Sequence, residues 1–139
     1  MISRIVLAID NDTPAEPVKM ASELAELTGA NVLVVHCDEL DTYFDTGTWL
    51  KDDTELRTII GTAVTQLRDQ GVKARGVTVR TVSQEDTAQA IAHQGPEPAS
   101  DILVLGLPRF HHLGGLFMGS VAADVAARIT TPLLLVPCR

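Results

Sequence analysis

Two stretches of this chain carry side chains whose types and spacing could do chemistry. The first is the loop from Gly106 to Ser120, which holds Gly106, Arg109, His111, His112, Gly114, Gly115 and Gly119. Glycine lets a backbone approach a ligand closely, and Ser120 suits the cap of a helical pattern that starts there. The first N–H groups of a helix lack partners within it and lie at its positive dipole end, so they attract anions. Arg109, His111 and His112 add donors, the densest positive potential in the chain. The second stretch is Asp10-Asn11-Asp12, directly after an apolar run. Two carboxylates two apart in a turn can share Mg²⁺ with the phosphates of a ligand. Asp12 or Thr13 can equally cap the helix that begins near Pro14. No Ser-His-Asp or Cys-His arrangement follows from spacing, and His36 and His93 read as lone structural histidines.

Five short runs must position these groups. Four are apolar and β-branched: Arg4–Ile9, Asn31–Val35, Asp101–Leu105 and Pro132–Val136. Continuous apolar runs of this length suit strands buried on both faces, as in a parallel sheet. The fifth, Gly76–Val82, alternates, which places it toward an edge with one wetter face. Between them lie helical patterns. Val18, Ala21, Ala25 and Thr28 share one face and close at Gly29, while Leu56, Ile60, Ala63 and Leu67 share another and close at Gly71. A shorter helix is expected from about Glu85 to Gln94, before Gly95-Pro96, and a last one from about Ser120 to Ile129. Strict alternation of strand and helix predicts an α/β fold: a doubly wound, five-stranded parallel sheet with helices on both faces and right-handed crossovers. Such sheets bind ligands at the carboxyl ends of their strands, where the strand order reverses. Segments 10–13, 36–50, 83–85 and 107–119 fall there. The stretch from Asp38 to Asp52 reads as a long loop with Tyr43, Phe44 and Trp49, three of the chain's five aromatics. It is either a lid or partner surface, or a small satellite cluster.

Composition narrows the function. The 139 residues suit a single domain over 1–139, and 45% hydrophobic with 21% charged residues is an ordinary globular balance. Eleven bases against 18 acids leave a net charge of −7. That field repels phosphate backbones, so nucleic acid is not expected as a partner. The charge is uneven: positions 10–55 hold 12 acids and two bases, positions 56–139 six acids and eight bases. An anion site therefore belongs in the second half. No apolar run approaches the ~20 residues of a membrane span, and the apolar run after Arg4 is too short for a signal-peptide core. Cys37 and Cys138 form no metal or redox spacing, which fits two reduced thiols in the cytoplasm.

Gly106, followed thirteen positions later by Gly119-Ser120 with Leu113, Gly115 and Leu116 between, resembles the signature loop of the universal stress protein family. The family's pattern is G-x2-G-x9-G-[ST], and in its nucleotide-binding members the loop amides hold the phosphates of ATP. The opening Ile5–Asp10, the strand ending Val34-Val35-His36 and the closing Thr131–Val136 fall where the family has counterparts, so the resemblance spans nearly the whole chain. It implies a Rossmann-like, adenine nucleotide alpha hydrolase-like fold. It implies nucleotide contacts at Ile9, Asp10, Asn11, Cys37, Gly106, Arg109, Gly115, Gly119, Ser120 and Val121. Asp10 would lie beside the adenosine and the Cys37 backbone would bond the adenine. Mg²⁺ would be held at Asp10 and Asp12 through the nucleotide. The departure is Arg109, where the pattern has its second glycine. Its side chain either fills the phosphate space or replaces backbone donors with a charged fork suited to phosphate.

The expected function is a cytoplasmic stress-response module. It binds ATP or another adenine nucleotide, with at most slow hydrolysis, and acts through a homodimer and an unidentified protein partner. The homodimer would form through Pro132–Pro137, an apolar run that the resemblance puts at a sheet edge. One rival keeps the fold but has a decayed nucleotide site and works through the aromatic-acidic loop and the dimer. A second is an adenylating ligase, which needs a Ser- and Gly-rich loop after the first strand; Asp10–Pro14 supplies neither residue. The acidic pair at Asp10 and Asp12 also resembles receiver domains. Those require an Asp ending the third strand and a Lys ending the fifth, where this chain offers Ser83 and Pro137.

Overall fold

The computed structural model of the chain describes residues 1–9, 15–39, 53–93, 100–107 and 120–137. Along them run β1 (Arg4–Ile9), α1 (Ala15–Thr28), β2 (Asn31–Glu39), α2 (Asp53–Asp69), β3 (Ala74–Thr81), α3 (Gln84–Ala92), β4 (Ile102–Leu107), α4 (Ser120–Ala126) and β5 (Leu133–Pro137). All strand pairs are parallel, and the sheet order is β3-β2-β1-β4-β5. This is the doubly wound sheet that the alternation of elements predicts.

Both faces are covered, which is why the central strands read as unbroken apolar runs. Ile5, Leu7 and Ile9 of β1 point into one cluster with Val18, Ala21 and Ala25 of α1 and Ala63, Val64 and Leu67 of α2. Val6 and Ala8 point the other way, against Ala88 and Ile91 of α3 and Ala122 and Val125 of α4. The helical faces named from periodicity are these buried faces. Among the described residues no helix is long and apolar enough to cross a membrane.

The helix ends follow local chemistry. Gly29 and Gly71 have φ of 74° and 80°, a region that favours glycine. At the second, Gly71 N donates to Arg68 O at 2.9 Å and Val72 N to Leu67 O at 3.1 Å, the paired bonds of a Schellman cap. Ser83 caps α3 by accepting from Asp86 N at 3.1 Å, and Asp86 Oδ2 accepts in turn from Val82 N at 3.0 Å. Helix α3 ends at Ala92, where His93 N still donates to Gln89 O. Helix α4 stops three residues short of the expected Ile129. Arg128 N turns back to Val125 O at 2.9 Å, and its Nη1 takes the Asp124 carbonyl.

Two differences from the sequence reading change the site. Strand β2 continues past Val35 to Glu39, because β3 pairs with it to the register Glu39↔Thr81. Asp38 and Glu39 are thus strand residues rather than the start of a loop, and 40–52 lie outside the described residues. Strand β3 also begins earlier than expected, at Ala74. Within it Gly76 faces α2 so closely that an added Cβ would collide with Ile60 Cγ1 and lie 3.1 Å from Val64 Cγ2.

Candidate functional site at the carboxyl end of the sheet

The strand order reverses between β1 and β4, neighbours in the sheet whose following helices lie on opposite faces. The chain therefore leaves β1 toward the α1/α2 side and β4 toward the α3/α4 side. The carboxyl end of the sheet between these two departures is the place where such sheets take ligands.

Strand ends set what faces it. Ile9 ends β1, is 7% exposed and pairs with His36. Cys37 is the next residue of β2, half-buried, and in register with Val79 of β3. Gly106 in β4 is half-buried and pairs with Val136. The β1–β4 register runs to Ala8↔Leu105, so Ile9 and Gly106 follow together at the carboxyl end of the sheet. Ser120 opens α4, and Val121 packs on the α3/α4 core. Five of the expected nucleotide contacts thus belong to strand ends and the helix start at this end of the sheet. Asp10, Asn11, Asp12, Arg109, Gly115 and Gly119 lie outside the described residues, as do both carboxylates expected to hold Mg²⁺. Among the described residues no group of three or more His, Cys, Asp or Glu could hold a metal ion.

Sequence reasoning missed a buried polar set at this end of the sheet. Strand alternation puts His36 and Asp38 on the α1/α2 face with Val32 and Val34. His36 is 0% and Asp38 1% exposed. Asp38 Oδ2 lies 3.6 Å from Arg80 Nε of β3, and the register sets these two residues opposite each other. On the other face Thr81 and Thr87 share a 2.6 Å hydroxyl contact, and Thr87 Oγ1 reaches Ser83 O at 3.0 Å. The available signal was the alternation of His36 and Asp38 with Val34, hidden because the strand was expected to stop at Val35. Ser83, which the sequence placed among the ligand-facing residues, spends its hydroxyl on the cap of α3. His93, read as structural, is an exposed residue at the end of that helix.

A doubly wound parallel sheet with its reversal between the first and fourth strands defines the Rossmann-like class of folds. The particular family follows from comparison with known proteins. The model of the universal stress protein family matches residues 1–137, and the chain belongs to that family. Solved structures agree in fold. A universal stress protein from Archaeoglobus fulgidus in complex with dAMP superposes with a TM-score of 0.68 at 24% identity, over 98% of this chain and 99% of that one. A universal stress protein in complex with cAMP gives 0.69 at 18% identity, over 99% and 98%. The hypothetical protein MJ0577 gives 0.71 at 20% identity, over 100% and 98%. No curated protein matches the chain.

Proposed function

We propose that this chain binds an adenine nucleotide at the carboxyl end of its sheet, as a stress-response module that works by binding rather than by turnover. The observation that carries the reading is the reversal of strand order between β1 and β4, with Ile9, Gly106 and the start of α4 at the carboxyl end of the sheet. Family membership and relatives solved with dAMP and cAMP support the class of ligand. In this reading the adenine lies against the Cys37 backbone and the adenosine beside Ile9, Asp10 and Asn11. The phosphates meet Gly106, Arg109, Gly115, Gly119, Ser120 and Val121. Mg²⁺ at Asp10 and Asp12 offsets the repulsion between these carboxylates and the phosphates. Arg109 acts as a phosphate fork in place of the family's glycine.

Calorimetric titration with ATP, with and without Mg²⁺, tests this. Saturable, Mg²⁺-dependent heat is expected, and Arg109→Gly weakens binding about ten- to a hundredfold. Tighter binding by the glycine variant would show that Arg109 blocks the phosphate space. No heat at millimolar ATP would leave the chain as a nucleotide-free interaction module.

The same reading includes a homodimer across β5. This strand is a sheet edge, and Leu135 is 39% exposed on it. An open apolar edge templates further pairing unless it is met by a partner. A second copy around a two-fold axis meets it symmetrically.

A further inference from the structure

Cys37↔Val79 and Asp38↔Arg80 are consecutive rungs of the β2–β3 ladder. The nucleotide reading sets the adenine against the first; the second carries an ion pair. The Asp38 side chain is 2% exposed, and its Oδ2 lies 3.6 Å from Arg80 Nε. Among the described residues that oxygen has no hydrogen-bond partner, so the guanidinium is what offsets its charge. A carboxylate taken out of water is costly unless a counter-charge stands beside it. Two apolar side chains on the same rung would fasten the strands without that cost. Stability alone therefore does not account for an acid and a base at these positions.

The strand that carries Arg80 is itself anchored. On the other face of the sheet Thr81 Oγ1 and Thr87 Oγ1 lie 2.6 Å apart, and both residues are buried. Thr87 Oγ1 also donates to Ser83 O at 3.0 Å. One residue along, Val82 N donates to Asp86 Oδ2 at 3.0 Å, and Asp86 N to Ser83 Oγ at 3.1 Å. The end of β3 is thus tied into the first turn of α3 by hydroxyl, carboxylate and backbone groups. A continuous line of contacts runs from that turn through Thr81 and Arg80 to Asp38, the residue next to Cys37.

Adenine carries an amino donor where guanine carries a carbonyl acceptor. A peptide group separates the two bases only as well as it is held in place, because a contact that can shift accommodates either. We infer that Asp38 and Arg80 are a positioning pair, fixing the Cys37 backbone so that it selects adenine over guanine. This rests on the nucleotide reading above and adds to it the residues that set base selectivity. Neither side chain touches the base; both act through the rung beside them, with α3 as the fixed support.

The test is calorimetric titration of the whole chain with ATP and with GTP, in the wild type, in Arg80→Ala and in the double variant Asp38→Asn/Arg80→Ala. The wild type should prefer ATP. Arg80→Ala should weaken ATP about tenfold and bring the two nucleotides close to equal affinity. The double variant removes the stranded charge, so it should regain folding stability in urea without regaining the preference. That separates positioning from stability. Amide exchange in the nucleotide-free chain should quicken at Cys37 and Asp38 in both variants and stay unchanged at Val34. A preference retained in either variant, or regained together with the urea midpoint, overturns the inference and leaves the nucleotide reading standing. So does unchanged exchange at Cys37, or a wild type that binds ATP and GTP alike. A wild type that takes up neither nucleotide overturns the nucleotide reading and the positioning role with it.

Discussion

At one edge of the sheet, β3 sets Arg75, Thr78 and Arg80 toward solvent and buries Ala74 and Thr81 at its ends. At the other edge, β5 runs Leu133-Leu134-Leu135-Val136 with no polar side chain and only Val136 buried. Charge and polarity on an edge strand discourage further pairing, whereas an apolar edge invites it. The first edge suits water, and the second is the edge proposed to meet a second copy. The alternating and continuous patterns were visible in the sequence, and the strand order turns them into opposite ends of one sheet.

Breaking the apolar edge should have the largest effect. Leu134 is partly buried against the α1/α2 core, so its replacement disturbs folding as well as pairing. Leu135 is the cleaner position, being exposed in the single chain. Leu135→Lys should bring two ammonium groups into a symmetric interface and weaken the dimer by about 3 kcal/mol, more than a hundredfold. Light scattering at tens of micromolar should then find wild-type dimers and variant monomers. A monomeric wild type would remove the contrast between the edges.

The polar edge is broken by Arg80→Ala, which leaves the Asp38 side chain, 2% exposed, without its cation. Losing one partner of a fully buried pair costs about 3–5 kcal/mol. Arg80 is 35% exposed, which reduces the expected loss to about 1–2 kcal/mol. Urea unfolding should show it, and Asp38→Asn in the same chain should recover part of it. An unchanged midpoint would mean that solvent already satisfies Asp38.

The smallest effect lies at the centre of the sheet, away from both edges. Hydrogen bonds from the Ser3 and Arg4 backbone, and then from the Ser3 hydroxyl, hold the Asp101 carboxyl below its ordinary pKa. A depressed carboxylate contributes stability that is complete above the unfolded value, about pH 4, and is lost as pH falls through the folded one. Asp101→Asn should flatten the acid limb of a thermal-stability profile and leave the dimer intact. A dimer that also weakens would tie the centre of the sheet to its edge.

The fold was legible because its signals are local and repeated: four short apolar runs and an alternating fifth, two helix-closing glycines at 29 and 71, and a face of small residues in α1. The register was not. Nothing in Asn31–Val35 announced that β2 continues through His36 and Asp38, since a polar residue inside a strand reads as its end. Only the pairing with Arg80 and Thr81 extends it. Cys37 and Gly106 could be assigned to the carboxyl end of the sheet from the family resemblance.

Gly76 carries a consequence for how relatives of this protein diverge. With no room for a Cβ between β3 and Ile60, positions 60 and 76 cannot change independently. A larger residue at 76 requires a smaller one at 60 or a helix lifted from the sheet, which opens a void above Val64. Across aligned relatives that keep this packing, the two positions should therefore covary in size, bulk on one side answered by loss on the other. A lineage that enlarges both would have to reseat α2 against the edge of its sheet.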